Sequence, residues 1–455
     1  MYVTVREQVA TAPAPDAAGV APAPQRARSR GWGPLSVPAV SRNVLFLGLT
    51  SLLTDVSSEM VATILPLYLV LFLGLSPLQF GVVDGMYQGF AALVRVGSGY
   101  VADRWRRYKE LAVAGYGLSA LCKLGLLAAG SAWMALAGVV LVDRTGKGIR
   151  TAPRDALISL STPPAGLATA FGVHRSLDTL GAMLGPVVAF ALLARLPEAF
   201  DAVFVVSFLF AVLGLGVLVL FVENRPPVDV TKEAPGVAPR TVSVRAAFGL
   251  LNVPAYRSLA LAGAMLAFCT VSDGFLYLVL QRRLNLNTGL FPLLYVGTSL
   301  CYFLLAVPAG RLADRWGRGR VLLAGYALLV PLYVVLLLPD LGFAALALVL
   351  LLFGAYYAAT DGVLMACASA TLGPELRTTG LGLLTTCTTV ARLLASVLFG
   401  AVWTAWGVEQ AIVLFGVGLL LVLGAAAVIL ARGGQLQPAL ATSGDSSLGH
   451  FDHHD

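Results

Sequence analysis

Gly99-Tyr100-Val101-Ala102-Asp103-Arg104-Trp105-Arg106-Arg107 lies between two apolar runs, and Gly310-Arg311-Leu312-Ala313-Asp314-Arg315-Trp316-Gly317-Arg318 lies between two others, 211 residues further on. The recurrence is not isolated. Ala114-Gly115-Tyr116 returns as Ala324-Gly325-Tyr326 at an offset of 210, as do Pro164 and Gly172 in Pro374 and Gly382, and Tyr68-Leu69-Val70-Leu71 returns as Tyr277-Leu278-Val279-Leu280 at 209. Four separate matches at a nearly constant offset mark a duplicated unit.

Outward from the two stretches the chain reads as twelve apolar runs, at 43–70, 78–101, 110–130, 133–154, 166–193, 202–223, 255–281, 289–312, 320–338, 342–370, 378–404 and 409–431. Each is close to the roughly 20 residues a helix needs to cross a bilayer. The expected fold is therefore an all-α membrane protein, with twelve transmembrane helices in two pseudo-symmetric six-helix bundles over 41–223 and 255–432. Residues 1–40, rich in Ala, Pro and Arg, read as a disordered cytoplasmic tail. The Pro-rich, charged stretch 224–254 reads as a cytoplasmic linker, and 433–455 as a C-terminal tail.

Composition agrees. Of 455 residues, 58% are hydrophobic and 12% charged, where a soluble domain carries about 25% charged residues. The five cysteines (Cys122, Cys269, Cys301, Cys367, Cys387) lie in apolar stretches without C-x-x-C spacing, so neither a disulfide framework nor a metal site is expected. The net charge of +7 resides in short loops between apolar runs, which argues against nucleic acid. Outside the fourth and fifth runs, loops after odd-numbered runs hold only Arg195, Arg282 and Arg283, whereas the tails and the loops after even-numbered runs are basic. By the positive-inside rule both termini are cytoplasmic and the chain is a multi-pass protein of the cytoplasmic membrane.

Six plus six helices with G-x-x-x-D-R-x-G-R after the second run of a half resemble the major facilitator superfamily, over about residues 41–432. The loop signature is carried by Gly99, Asp103, Arg104 and Arg107, with Arg106 where the family has its second Gly, and more completely by Gly310, Asp314, Arg315, Gly317 and Arg318. Arg144, Lys147 and Gly148 look like the R-x-x-Q-G pattern of the fourth span, with Lys replacing Gln. Gly172, Gly181, Gly185 and Pro186 reproduce the fifth-span pattern associated with exporters that exchange substrate for protons. Leu53 to Met60 and Asp143 to Asp155 also look like a bacterial branch of the family for which the resemblance gives no substrate. The resemblance implies secondary active transport of a small organic molecule by alternating access, with protons and the lipid bilayer as partners, no cofactor, and a monomer. Proton-coupled export is the first reading; proton-coupled import of a small anionic solute is the alternative. The loop motif implies a gate in which Asp103 and Asp314 hold one side of the bundle closed.

Charges inside the apolar runs are the candidate site, because each costs about 2.5–3.5 kcal/mol to place at the bilayer centre. Asp55 and Glu59 share a face of the first run and are read as the proton-coupling pair; Asp178, through His174 and Arg175, is the rival. Arg144, Lys147 and Arg175, with Asp84, Asp273 and Asp361, are read as the polar wall of a substrate cavity. A buried ion-pair network that touches no ligand, and plain helix packing at Gly181, Gly185 and Pro186, are the competing readings. No H-E-x-x-H, G-x-S-x-G or G-x-x-x-x-G-K-[ST] occurs, so neither an enzyme nor an ATP-driven pump is expected.

Overall fold

A computed structural model describes residues 40–130, 132–163, 166–224, 249–339, 341–372 and 377–436. Most of both tails and of the linker read from the sequence, and with them Pro164 and Pro374, lie outside the described residues. In the first half the helices are α1 (Arg42–Leu67), continued by a π-helical turn at Tyr68–Phe72, α2 (Pro77–Trp105), α3 (Tyr108–Ala128), α4 (Trp133–Leu160), α5 (Leu167–Arg195) and α6 (Phe200–Phe221). In the second they are α7 (Pro254–Phe268), α8 (Asp273–Leu284), α9 (Pro292–Trp316), α10 (Arg318–Ala327), α11 (Leu329–Leu336), α12 (Phe343–Thr371), α13 (Arg377–Trp406) and α14 (Val408–Arg432).

Local chemistry sets the helix ends. Ser76 and Gln79 form a reciprocal capping box at the start of α2, with Pro77 where a missing N–H costs nothing. The turn inside each loop signature has a positive φ: Gly317 supplies it at +100°, while Arg106 adopts +52° in the first copy, where the family pattern has glycine. Such a conformation costs a non-glycine residue roughly 1–2 kcal/mol.

Among the described residues ten segments are long and apolar enough to cross a membrane, with α7 and α8 counted together, and α10 with α11. α2 and α4, of 29 and 28 residues, are as long but more polar. With them the twelve expected runs are all helical, and the molecule is a multi-pass helical membrane protein.

Two runs expected to be continuous are interrupted. The ninth breaks at Leu328, because Pro331 has no N–H to return to the carbonyl of Ala327. The seventh breaks between Phe268 and Asp273, where Ser272 caps a new helix by accepting from the Phe275 N–H at 3.4 Å. Backbone freed in a membrane must find partners. Here the Tyr333 hydroxyl of α11 accepts from the Val271 N–H at 3.0 Å and donates to the Cys269 carbonyl at 3.2 Å. Removing that hydroxyl in Tyr333→Phe leaves a buried donor and acceptor unpaired. The expected loss is about 1–3 kcal/mol, read as a lower melting temperature in detergent; an unchanged melting temperature would show that the break needs no stitch.

Within the first half α1 packs on α5 and α6, α3 on α4 and α6, and α2 on α4; within the second, α12 holds α9 and α10, while α7 holds α13 and α14. The halves meet through α2 against α13 and α5 against α9. The duplication makes α9 the counterpart of α2 and α13 that of α5, so the two contacts are one seam written twice. The hydrogen bonds and ring contacts described across the seam cluster at the end away from the basic loops. The Leu78 N–H donates to Thr404 Oγ1 at 2.9 Å, and Phe80 and Phe275 stack edge to face at 4.8 Å.

Candidate functional site

The contact of α1 with α5 is set by two small residues. A Cβ on Gly181 would stand 2.9 Å from Leu52 Cα, and one on Gly185 would stand 2.6 Å from Glu59 Cβ and 2.9 Å from the Val56 carbonyl, so only glycine permits this approach. Pro186 is buried beside them, whereas a Cβ on Gly172 would meet open space. The close approach carries Asp178 of α5 onto Asp55 of α1, with the two carboxyl groups within hydrogen-bonding reach of each other.

Arginines of α4 flank this pair. Arg150 stands 4.0 Å from Asp55, and Arg154 stands 3.7 Å from Asp178 and 3.0 Å from Asp155. Arg154 also donates to Ser51 at 3.3 Å, and Arg95 of α2 closes the outer edge by bonding Asp155 at 3.1 Å. Arg150 is almost wholly buried over the Tyr116 ring, and its Nη1 has no hydrogen-bond partner. Arg175, the second guanidinium near Asp178 at 3.5 Å, is mostly exposed. His174 is buried, and neither ring nitrogen has a hydrogen-bond partner among the described residues.

A second cluster lies deeper in the same half. Asp143 accepts from Lys123 at 3.0 Å and from both Nε and Nη2 of Arg144, the Nε contact being 3.0 Å. The Arg144 guanidinium lies 3.7 Å above the Tyr87 ring, a cation–π contact. All three charged side chains are more than nine-tenths buried. Arg144, read from the sequence as cavity wall, is thus committed to an internal ion triad. Lys147, one turn on, makes no ion pair within 4.0 Å among the described residues and lies in electrostatic reach of both Asp55 and Glu59. Glu59 lies in electrostatic reach of Lys147, Arg144 and Asp273, while the charged neighbours of Asp55 are Asp178, Lys147 and Arg150 rather than Glu59.

In the second half Tyr357 of α12 donates to Asp273, the first residue of α8. Arg392 of α13 lies among Tyr326, Tyr356 and Tyr357 and within reach of Asp361, which is exposed. Tyr356 and Tyr357 went unremarked in the sequence; the adjacent Tyr pair in an apolar run was the available signal. Asp84 of α2 lies in the seam, accepting from Gln88 at 3.0 Å and from Ser396 of α13 at 2.7 Å. The gate motif divides: Asp314 pairs with Arg318 at 3.2 Å within its own half, Arg318 also reaches the Ala366 carbonyl at 3.2 Å, and Arg104, Arg107 and Arg315 are exposed. The side chain of Asp103 lies outside the described residues.

Two six-helix halves, a pseudo-symmetric seam and intramembrane charges lining it define a transporter. The Major Facilitator Superfamily model matches residues 47–298 and 259–444, and the chain belongs to that family. It is 32% identical over 378 residues to an uncharacterised MFS-type transporter of Methanocaldococcus jannaschii, covering 80% of this chain and 89% of the relative. Among solved structures, the nucleoside transporter NupG superposes with a TM-score of 0.66 at 16% identity, over 86% of this chain and 98% of that one. A bacterial homologue of the human lysosomal transporter Spinster, solved inward-facing and unoccupied, superposes with 0.61 at 19% identity, over 86% and 94%. These likenesses establish the fold; the family membership makes the chain a secondary transporter of a small molecule.

Proposed function

We propose that the chain exports a small organic molecule across the cytoplasmic membrane in exchange for protons, with both termini and the basic loops on the cytoplasmic side. The observation that carries proton coupling is the Asp55–Asp178 contact. Two carboxyl groups in reach of each other in a medium of low dielectric disfavour double ionisation and so favour a shared proton, and helices α1 and α5 deliver one carboxyl each. Rocking of the first half against the second then exposes the proton site to one side of the membrane or the other. The seam closed away from the basic loops corresponds to a state open to the cytoplasm, in which substrate enters and the proton leaves.

Everted membrane vesicles with an imposed pH gradient, inside acidic, test direction and coupling together against a panel of labelled small organic compounds. Uptake that a protonophore collapses is the expected result. Gradient-driven uptake confined to right-side-out vesicles would establish the alternative, import of a small anionic solute. Lys147 favours that second reading, as a cation without an ion pair among the described residues.

A further inference from the structure

We propose that Asp84 is the positioning residue that latches the two halves together at the end away from the basic loops, through its contact with the broken seventh span. The inference needs only alternating access and is independent of transport direction and of the proton site.

Asp84 belongs to the first half, yet two of its partners belong to the second. Ser396 of α13 donates to Oδ2 at 2.7 Å, and its hydroxyl also lies 3.1 Å from the Gly81 carbonyl; the other neighbour across the seam is the first turn of α8, where a Cβ on Gly274 would stand 3.4 Å from Asp84 Oδ1 and Ser272, the N-cap, is within electrostatic reach. Gln88, one turn on in α2, donates to the same Oδ2 at 3.0 Å and holds the carboxylate in place. The break at Cys269–Ser272 gives α8 an N-terminus of its own inside the bundle, where unpaired N–H groups and the helix dipole favour a negative charge. Asp84 supplies that charge from the opposite half. Asp273, the acid native to that N-terminus, accepts from Tyr357 and from its own N–H, so Asp84 adds a second acid there.

The backbones are close enough for the latch to be tight. A Cβ on Gly85 would stand 2.9 Å from the Leu393 carbonyl, one on Gly400 3.0 Å from the Pro77 carbonyl carbon, and one on Gly274 2.8 Å from the Phe80 ring and 3.4 Å from Asp84 Oδ1. Ser396 is 1% exposed, so its hydroxyl has no water to fall back on.

The duplication shows that the fold does not require this contact. At the offset of 211 that aligns Gly99 with Gly310, the counterpart of Asp84 is Tyr295; at 210, which aligns Gly172 with Gly382, that of Ser396 is Pro186, which has no donor. The second copy of the seam, α5 against α9, closes without a carboxylate–hydroxyl bond between those positions. A carboxylate bonded across one copy of the seam only is a device added to the scaffold. It makes closure at this end conditional on one hydrogen-bonded charge, which must be rehydrated when the halves part there.

The test measures the seam in substrate-free protein. Spin labels at Leu196→Cys and Leu290→Cys, both exposed on opposite halves at that end, report the separation in a background without the native cysteines. The unaltered chain is expected to give one short distance. Asp84→Ala and Ser396→Ala should each raise the long-distance population by about tenfold, the shift expected for loss of one charge-assisted hydrogen bond, and the double variant should open no further than Asp84→Ala alone. If Asp84→Ala fails to fold, Ser396→Ala carries the test. Distances unchanged in a folded variant, with only substrate affinity altered, would make Asp84 a ligand-binding residue and overturn the latch.

Discussion

Replacing Asp143 by alanine is expected to cost about 3–5 kcal/mol, enough to remove most of the folded protein from the membrane. The carboxylate neutralises two cations, Lys123 at 3.0 Å and Arg144 through two nitrogens, and all three side chains lie inside the bundle away from water. Its removal leaves two positive charges facing each other across α3 and α4 with no counterion in contact. The loss exceeds that of any surface pair, such as Asp314 with Arg318, whose exposure limits it to about 0–1 kcal/mol. Two measurements separate this account from simple loss of packing. Asp143→Asn, which preserves shape, should be nearly as damaging as alanine in melting temperature and in monodisperse yield. Asp143→Leu combined with Lys123→Met and Arg144→Met should recover much of the loss, since an apolar replacement of the whole triad leaves nothing uncompensated. A stable Asp143→Asn variant would show that the triad contributes no net electrostatic stabilisation.

The triad and the Asp55–Asp178 pair differ in how far the sequence discloses them. The run lengths and the offsets near 210 express the bilayer thickness and the duplication directly, so helix number and the division into halves can be read off the chain. Spacing within one helix is equally direct, and it placed Asp55 and Glu59 on one face. It cannot say which neighbouring helix that face meets. Lys123 and Asp143 are twenty residues apart on adjacent helices, and Asp55 finds Asp178 only because Gly181 and Gly185 bring α5 against Leu52 to Glu59. The glycine motif was legible as packing and the acids as candidates; their joint consequence required the helices in place. The break at Cys269–Ser272 left no sequence mark because those residues include neither Gly nor Pro, and the freed backbone is satisfied by Tyr333, sixty-two residues from Val271. Arg106 is a different case: its departure from the motif was visible, and the turn keeps its left-handed geometry despite the side chain.

Asp178→Asn is expected to abolish accumulation driven by a pH gradient while sparing exchange of labelled for unlabelled substrate. An amide can still bond Asp55, so the α1–α5 contact survives, but it cannot give up and regain a proton as the carboxyl pair does. Exchange needs only the cavity and the rocking of the halves, so a variant that had merely misfolded would lose both activities. Asp55→Asn is expected to match it, because the proton belongs to the pair. Glu59→Gln is the decisive comparison. Glu59 lies in electrostatic reach of Lys147, and in this reading its neutralisation changes substrate affinity through Lys147 and leaves the gradient-driven step in place. The opposite pattern, with Glu59→Gln uncoupled and Asp178→Asn still concentrating substrate, would move the proton to Glu59 and leave the Asp55–Asp178 contact as part of the α4 arginine network.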